Sequence, residues 1–264
     1  MNMARILITG ASDGLGQMAA QRLIAEGHAV VLHARNATRA EHAMQQAPGA
    51  EAVFSADLSS IVETRQLADK LNASGHFDAV IHNAAVGYQE PERLVTVDGL
   101  PHVLAVNTLA PYILTALMAR PQRLIYISSV LHHQGNPSLE DLTWEQQRWD
   151  GTQAYSDSKL HMVLLAKALA RHWPQVFANS VEPGWVATKM GGPNATGDLS
   201  LAPRTQAWLA AGSDPATHVT GGYFYHQSPA KTHPAAANVD LQDAFLSACA
   251  ALSGVEFPAS SPSV

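Results

Sequence analysis

Short apolar runs alternate along this chain with segments whose apolar residues recur at helical spacing. Ile6-Leu7-Ile8 has strand length, and beyond it Met18, Ala19, Leu23 and Ile24 fall on one helical face before Gly27, a candidate C-cap. Val30-Val31-Leu32 is a second strand. Glu51 to Leu58 reads as a third strand ending in Asp57, and Ile61 to Leu71 as a helix. Phe77 to Ala85 reads as a fourth strand running into a small-residue turn. Val97 to Leu117 is apolar enough for a long helix, interrupted in pattern by Pro101 and Pro111. Arg123 to Ile127 is a fifth strand, Leu160 to Ala170 a helix, Val176 to Val181 a sixth strand and Gly222 to Tyr225 a last one. Pro203 to Ala211 fits a short helix and Val239 to Leu252 one that packs beneath the sheet. Strands alternating with helices predict an α/β fold with a parallel sheet. No repeat or linker interrupts the pattern, so a single domain, 1–264, is the economical reading.

Three stretches break the pattern. A polar insert, 131–153, carries His132, His133, Trp144 and Trp149; the tryptophans anchor it and the histidines belong to its rim or surface. Residues 189–215 have the character of a lid, small residues leading into an amphipathic stub. The tail, 258–264, is proline, serine and small residues, and is expected to be disordered.

Composition removes several function classes. Lys+Arg of 16 against Asp+Glu of 22 gives a net charge of -6, which argues against a nucleic-acid footprint or an anionic-membrane surface. The single cysteine, Cys249, excludes an internal disulfide framework and a cysteine metal cluster, and its alanine-rich surroundings suggest a small buried hydrophobe. The His132-His133 doublet has no carboxylate spacing to support a metal. Neither a leader nor a membrane-length run is apparent, so the expected location is the cytoplasm.

The chemistry begins at Thr9-Gly10-Ala11-Ser12-Asp13-Gly14-Leu15-Gly16, between the first strand and first helix. A glycine turn there lets phosphates approach the backbone at a helix N-terminus. The second strand ends in His33-Ala34-Arg35-Asn36, where a dinucleotide's ribose would lie. No carboxylate is present to accept from a free 2′-hydroxyl, while Arg35, with Arg39 as a second candidate, could pair with a 2′-phosphate. NADP(H) is therefore expected over NAD(H), which is not excluded; Asp13 is the dissenting charge. Asp57 and Asn83 fall at carboxyl ends of strands, where parallel sheets bind ligands, although caps or turns would use the same residues. Asn107, an amide in an apolar helix, needs a partner, and Pro111 cannot donate to its carbonyl. Tyr155 and Lys159 stand four apart on one helical face, where an ammonium would favour the phenolate.

Together these pieces resemble the short-chain dehydrogenase/reductase family along nearly the whole chain. The matches, in order, are the glycine turn, Asp57-Leu58, Asn83-Ala84-Ala85, Asn107, Ser128-Ser129, Tyr155-xxx-Lys159 and Pro183-Gly184-Trp185-Val186-Ala187-Thr188. In pattern the chain is most similar to the retinol-dehydrogenase-like and WW-domain-oxidoreductase-like branch.

The resemblance implies a Rossmann-type doubly wound sheet of about seven parallel strands. It also implies hydride transfer between NADP(H) and a carbonyl or alcohol. Tyr155 would be the acid/base, Ser129 would hold the substrate oxygen, and Lys159 would bind the nicotinamide ribose and lower the tyrosine pKa. Asn107 would support a proton relay. Gly10, Ser12, Asp13, Gly14, Leu15, Gly16 and Arg35 would meet the phosphates and the adenosine ribose. Asp57, Leu58, Asn83, Ala84 and Ala85 would surround the adenine, and Pro183, Gly184, Val186 and Thr188 the carboxamide. Two positions depart from the family: Ala85 stands where glycine is usual, and Glu182 where an uncharged residue or histidine is usual.

Leu131, Trp144, Trp149, Trp185, Met190 and Trp208 suggest an apolar pocket for a small-molecule substrate, with packing as the competing role. Two other readings stay open: a cofactor-binding regulator without turnover, and a nucleotide-sugar epimerase or dehydratase. The oligomeric state is open between monomer, homodimer and homotetramer.

Overall fold

The computed structural model describes residues 3–258. Eight strands form one sheet in the order β3-β2-β1-β4-β5-β6-β7-β8. They are β1 (Arg5–Ile8), β2 (Ala29–Ala34), β3 (Ala52–Ser55), β4 (Ala79–His82), β5 (Arg123–Ile127), β6 (Phe177–Glu182), β7 (Tyr223–Tyr225) and β8 (Ser228–Pro229). The first seven run parallel; β8 folds back antiparallel on β7. Strand order reverses between β1 and β4, which opens a crevice at their carboxyl ends.

The helices are α1 (Gly14–Ala25), α2 (Ala37–Gln46), α3 (Ile61–Ala73), α4 (His102–Leu104), α5 (Ala110–Leu117), α6 (Gly151–His172), α7 (Arg204–Ala211) and α8 (Val239–Ser253). Side chains alternate across each strand, and the two faces feed two cores. Leu7, Val80, Leu124 and Tyr126 pack with Leu67 of α3, Ile113 of α5 and Leu164 of α6, and Phe245 of α8 joins that layer from outside. Ile6, Ile8, Val30, Ile81 and Ile125 pack with Leu23 of α1, Ala43 of α2 and Leu209 of α7. Helices thus cover both faces, as a doubly wound sheet requires.

Several boundaries differ from the sequence reading, each for a local reason. The third and fourth strands are shorter than expected and leave Asp57 and Asn83 in the loops beyond them. The helix expected from Val97 begins at His102: Pro101 is its N-cap, and Val95 bridges to Pro101 instead. Pro111 lacks a donor, and the turn before it widens into a π-helix, Ala105–Leu109, that carries Asn107. α6 starts four residues before Tyr155, because the Asp150 carboxylate accepts from the Thr152 and Gln153 amides and caps it there. The tail expected to be disordered lies, except for Pro258, outside the described residues.

Candidate active site

A cavity of about 730 Å³ occupies the crevice above β1 and β4. It is lined by the loops after β1, β2, β3, β4, β5 and β6 and by the first turns of α6. Of the cofactor and catalytic candidates, all but Gly16 and Asn107 line this one cavity.

The glycine turn is knitted to the loop after β4. Thr9 Oγ1 accepts from the Asn83 and Ala84 amides, each at 3.0 Å. Asn83 Nδ2 donates back to the Thr9 and Gly10 carbonyls. Gly10 has φ +65°, and a Cβ there would stand 2.7 Å from Ala84 Cα, so both its conformation and its closeness demand glycine. Gly16 does not reach the cavity. A Cβ at Gly16 would lie 2.5 Å from both Asn83 Nδ2 and the Gly10 carbonyl, so its role is the close approach of α1 to the turn.

His33 fastens the same turn from below. It is 2% exposed, accepts from the Gly10 amide at Nδ1 and donates through Nε2 to the Ala56 carbonyl. Burial holds its pKa down at about 4, the neutral form this pattern needs. In the sequence His33 marks only a strand end; no local pattern announces the contact.

Asp13 at the N-cap of α1 makes no side-chain cap bond, so the first amides of α1 are left to an incoming anion. Its carboxylate instead pairs with Arg39 Nη2 at 2.6 Å and Lys189 Nζ at 3.1 Å. Burial would raise the Asp13 pKa, but the hydrogen bonds and charges of Arg39 and Lys189 outweigh it and the net direction is down. The charge that dissented from phosphate binding is thus matched by two cations. Arg39 Nε also donates to Ser12 Oγ, and Arg35 lines the cavity beside it. Asp57 Oδ1 accepts from the Ser59 amide, a turn contact.

On the other side of the crevice Tyr155, Lys159 and Ser129 converge. Tyr155 is 7% exposed; its hydroxyl donates to Met190 Sδ at 3.8 Å, and its ring stands edge-on to Tyr88, centroids 5.7 Å apart. Burial pushes the Tyr155 pKa up, the Ser129 hydroxyl opposes that, and Tyr88 adds to the rise. Lys159 donates to the Ile127 carbonyl at 3.1 Å, with its Nζ 5.2 Å from the Tyr155 ring centre. Burial lowers the Lys159 pKa to about 8. Burial of both groups acts against the phenolate expected from the Lys159–Tyr155 spacing: it raises the Tyr155 pKa, and Lys159 is not among the influences that lower it.

Asn107 faces away from the cavity. Its side-chain amide accepts from the Val86 N–H, donates to the Val86 carbonyl and donates to Ser158 Oγ, which itself donates to the Tyr155 carbonyl. It clamps the loop after β4 to the helix carrying the tyrosine. The buried amide finds the partners the sequence demands within the protein itself.

The aromatic expectations divide. Leu131, Trp185 and Met190 line the cavity. Trp144, Trp149 and Trp208 do not: Trp144 packs with Val103 and Ala154 and edge-on to Trp149, while Trp208 packs against Phe224 and donates to Asp214. His132, expected at the rim, is wholly buried; it contacts the Ser129 carbonyl through Nδ1 and accepts from the His233 amide at Nε2. Among the described residues no group of three His, Cys, Asp or Glu could hold a metal. No described helix is long and apolar enough to cross a membrane.

Comparison with known proteins decides what this arrangement belongs to. A family model described as short chain dehydrogenase matches residues 4–141. An uncharacterised oxidoreductase of Emericella nidulans is 47% identical over 97% of this chain and 99% of its own. The short-chain dehydrogenase chyC of Penicillium rubens is 42% identical over 97% of this chain and 100% of its own. The chain belongs to the short-chain dehydrogenase/reductase family.

It is accordingly an NAD(P)-dependent oxidoreductase acting on CH–OH or C=O groups. Retinol dehydrogenase 13 of Mus musculus is similar at lower identity, 31% over 70% of this chain and 59% of its own. An uncharacterised protein from Mycobacterium paratuberculosis has the same fold, with a TM-score of 0.82, 25% identity and coverage of 97% of this chain and 95% of that one. A blue fluorescent protein from a metagenomic library, solved in complex with NADPH, shares the fold at a TM-score of 0.68 and 24% identity over 84% of this chain and 96% of that one.

Both departures from the family pattern have structural counterparts. Ala85 lines the cavity, while the close approach to Gly10 is made by Ala84. Glu182 accepts from the Tyr223 hydroxyl at 2.9 Å, so its carboxylate ties β6 to β7.

Proposed function

We propose that this enzyme transfers hydride between NADP(H) and a largely apolar carbonyl or alcohol substrate, with Tyr155 as the proton donor to the substrate oxygen. The observation that carries this reading is the convergence of Tyr155, Ser129 and Lys159 on the cavity that also receives the glycine turn. The nicotinamide coenzyme, when bound, supplies or takes up the hydride. The chain's residues fit that group: free amides at the start of α1 suit a pyrophosphate, and Gly10 and Gly14, at φ +65° and +54°, keep the turn clear of side chains.

Arg35 just after β2 and Arg39 in the first turn of α2 favour a 2′-phosphate; β2 itself ends without a carboxylate, and the nearby Asp13 is matched by Arg39 and Lys189. Lys159 is the residue to hold the nicotinamide ribose, and Val186 and Thr188 border the carboxamide region. In the reductive direction Tyr155, kept protonated by burial, donates to the oxygen as negative charge develops there. Ser129 supplies a second hydrogen bond to the same atom. Asn107 acts by position, holding Val86 against the helix that bears Tyr155. Leu131, Val130 and Trp185 give the substrate side an apolar wall.

The test is turnover of an aldehyde, ketone and alcohol panel with both NADPH/NADP and NADH/NAD. Tyr155→Phe is expected to lower kcat at least about a hundredfold while NADPH affinity stays within about threefold, since only one hydroxyl is removed. Unchanged turnover in that variant would end the assignment of Tyr155, and a preference for NADH would end that of Arg35 and Arg39.

A further inference from the structure

His102 is a polar group in the cavity that neither the glycine turn nor the tyrosine–lysine pair accounts for. It opens α4 immediately after Pro101, and one turn later Val106 lines the same cavity, so both present one helical face to it. Its Nδ1 lies 2.7 Å from Glu90 Oε1. Because a carboxylate only accepts, Nδ1 carries a proton and the ring orientation is fixed. Among the described residues Nε2 takes no hydrogen bond, although the ring borders the cavity beside Tyr88.

Glu90 is built into this position. Its side chain is 13% exposed, its second oxygen is buried without a partner, and among the described residues His102 is the one side chain that meets its carboxylate. Its carbonyl accepts from Trp149 Nε1 at 2.9 Å and presses on Gly151, where a Cβ would collide with it. A carboxylate so desolvated is costly unless it is paired, and the His102 imidazole supplies that pair. The anchored insert and the cap of α6 therefore both brace a carboxylate whose contact is with a histidine at the cavity wall.

We propose that His102, oriented by Glu90, is a specificity-determining residue that hydrogen-bonds a second hydroxyl on the substrate, making the preferred substrates hydroxylated carbonyl compounds or the matching diols. A hydroxyl both donates and accepts, so it satisfies Nε2 whether the ring is neutral or charged; an ether or a lone carbonyl does so in only one state. Leu131, Val130, Val106 and Trp185 make much of the substrate side apolar, and among its polar groups, Tyr88 included, His102 is the one whose ring is fixed by a carboxylate, so its open Nε2 discriminates against analogues that leave it unpaired.

This inference rests on the substrate side of the cavity assigned above, and its test avoids turnover. Binding of α-tetralone and of its ring-hydroxylated derivatives to the enzyme saturated with NADP is measured by calorimetry. At least one hydroxylated member is expected to bind about tenfold or more tightly than the parent. His102→Leu and Glu90→Gln should each bring that ratio to within about twofold of one, and His102→Gln should restore part of it. No preference in the wild type, or no measurable binding of any hydroxylated member, overturns the proposal; so does a preference that survives His102→Leu. Each of those outcomes leaves hydride transfer itself to be decided by the turnover of Tyr155→Phe.

Discussion

Replacing Lys159 with Met should make the nucleotide-free protein more stable while abolishing its activity. Lys159 is 3% exposed, its ammonium meets the Ile127 carbonyl, and burial lowers its pKa from 10.5 to about 8. The folded state thus holds the charged form at a disadvantage of about 3 kcal/mol relative to the unfolded chain. The sign follows from proton counts. Below pH 8 both states carry the proton and the penalty is fully present. Between 8 and 10.5 the unfolded chain binds the proton and the folded chain has released it, so stability rises with pH. Above 10.5 the penalty is gone.

Met has a similar unbranched stem and no charge, so Lys159→Met should gain about 2–3 kcal/mol at pH 7, a shift of about 1 M in the urea midpoint for a chain of this size. Urea titrations of both proteins from pH 7 to 10.5 check the argument. The gap should be largest at neutral pH and close as pH rises. A gap that does not depend on pH, or a less stable variant at pH 7, would refute the claim that desolvation dominates at Lys159. Turnover by Lys159→Met should fall at least a hundredfold, by order of magnitude, because the residue proposed to hold the ribose is lost.

Three further outcomes concern acid stability, coenzyme choice and close packing. Burial holds His33, His132 and His161 at about 4 and His82 at about 3, below the usual 6.5. Below 6.5 the unfolded chain takes up protons that the folded chain refuses, so each should withdraw about 2 kcal/mol by about pH 5, together comparable to the stability of a whole domain. Acid unfolding followed by circular dichroism should therefore occur well above pH 4, and His82→Phe should reduce its steepness by about one proton. Arg35→Ser combined with Arg39→Ser should weaken NADPH at least about tenfold relative to NADH, read as the ratio of the two Kd values; an unchanged ratio would remove both residues from coenzyme selection. Gly16→Ala should destabilise the protein by about 2 kcal/mol, because the new Cβ must displace Asn83 or the Gly10 backbone. An unaltered thermal midpoint would show that α1 can move aside.

Much of the site was legible in the sequence because its pieces are local. Thr9 to Gly16 sits between a strand and a helix, and that sequence is enough to expect a tight turn at a helix N-terminus. Tyr155 and Lys159 are neighbours on one helix, and Ser129 lies just beyond a strand. The alternation of apolar runs and helical spacing likewise determined the α/β class, since each element's period is a property of consecutive residues.

What tertiary structure decided was every pairing between distant segments and every consequence of burial. Arg39 and Lys189 neutralise Asp13 from positions 26 and 176 residues away. His102 faces the cavity with Glu90 behind it only because Pro101 starts a helix there and Trp149, from the far end of the insert, fixes the Glu90 backbone. The sequence shows Lys159 next to Tyr155 and suggests a phenolate; enclosure by the sheet and α6 removes water from both and works against it. Periodicity and motifs report what neighbours along the chain can do. Desolvation and long-range hydrogen bonds depend on which surfaces the fold brings together, and no local pattern encodes them.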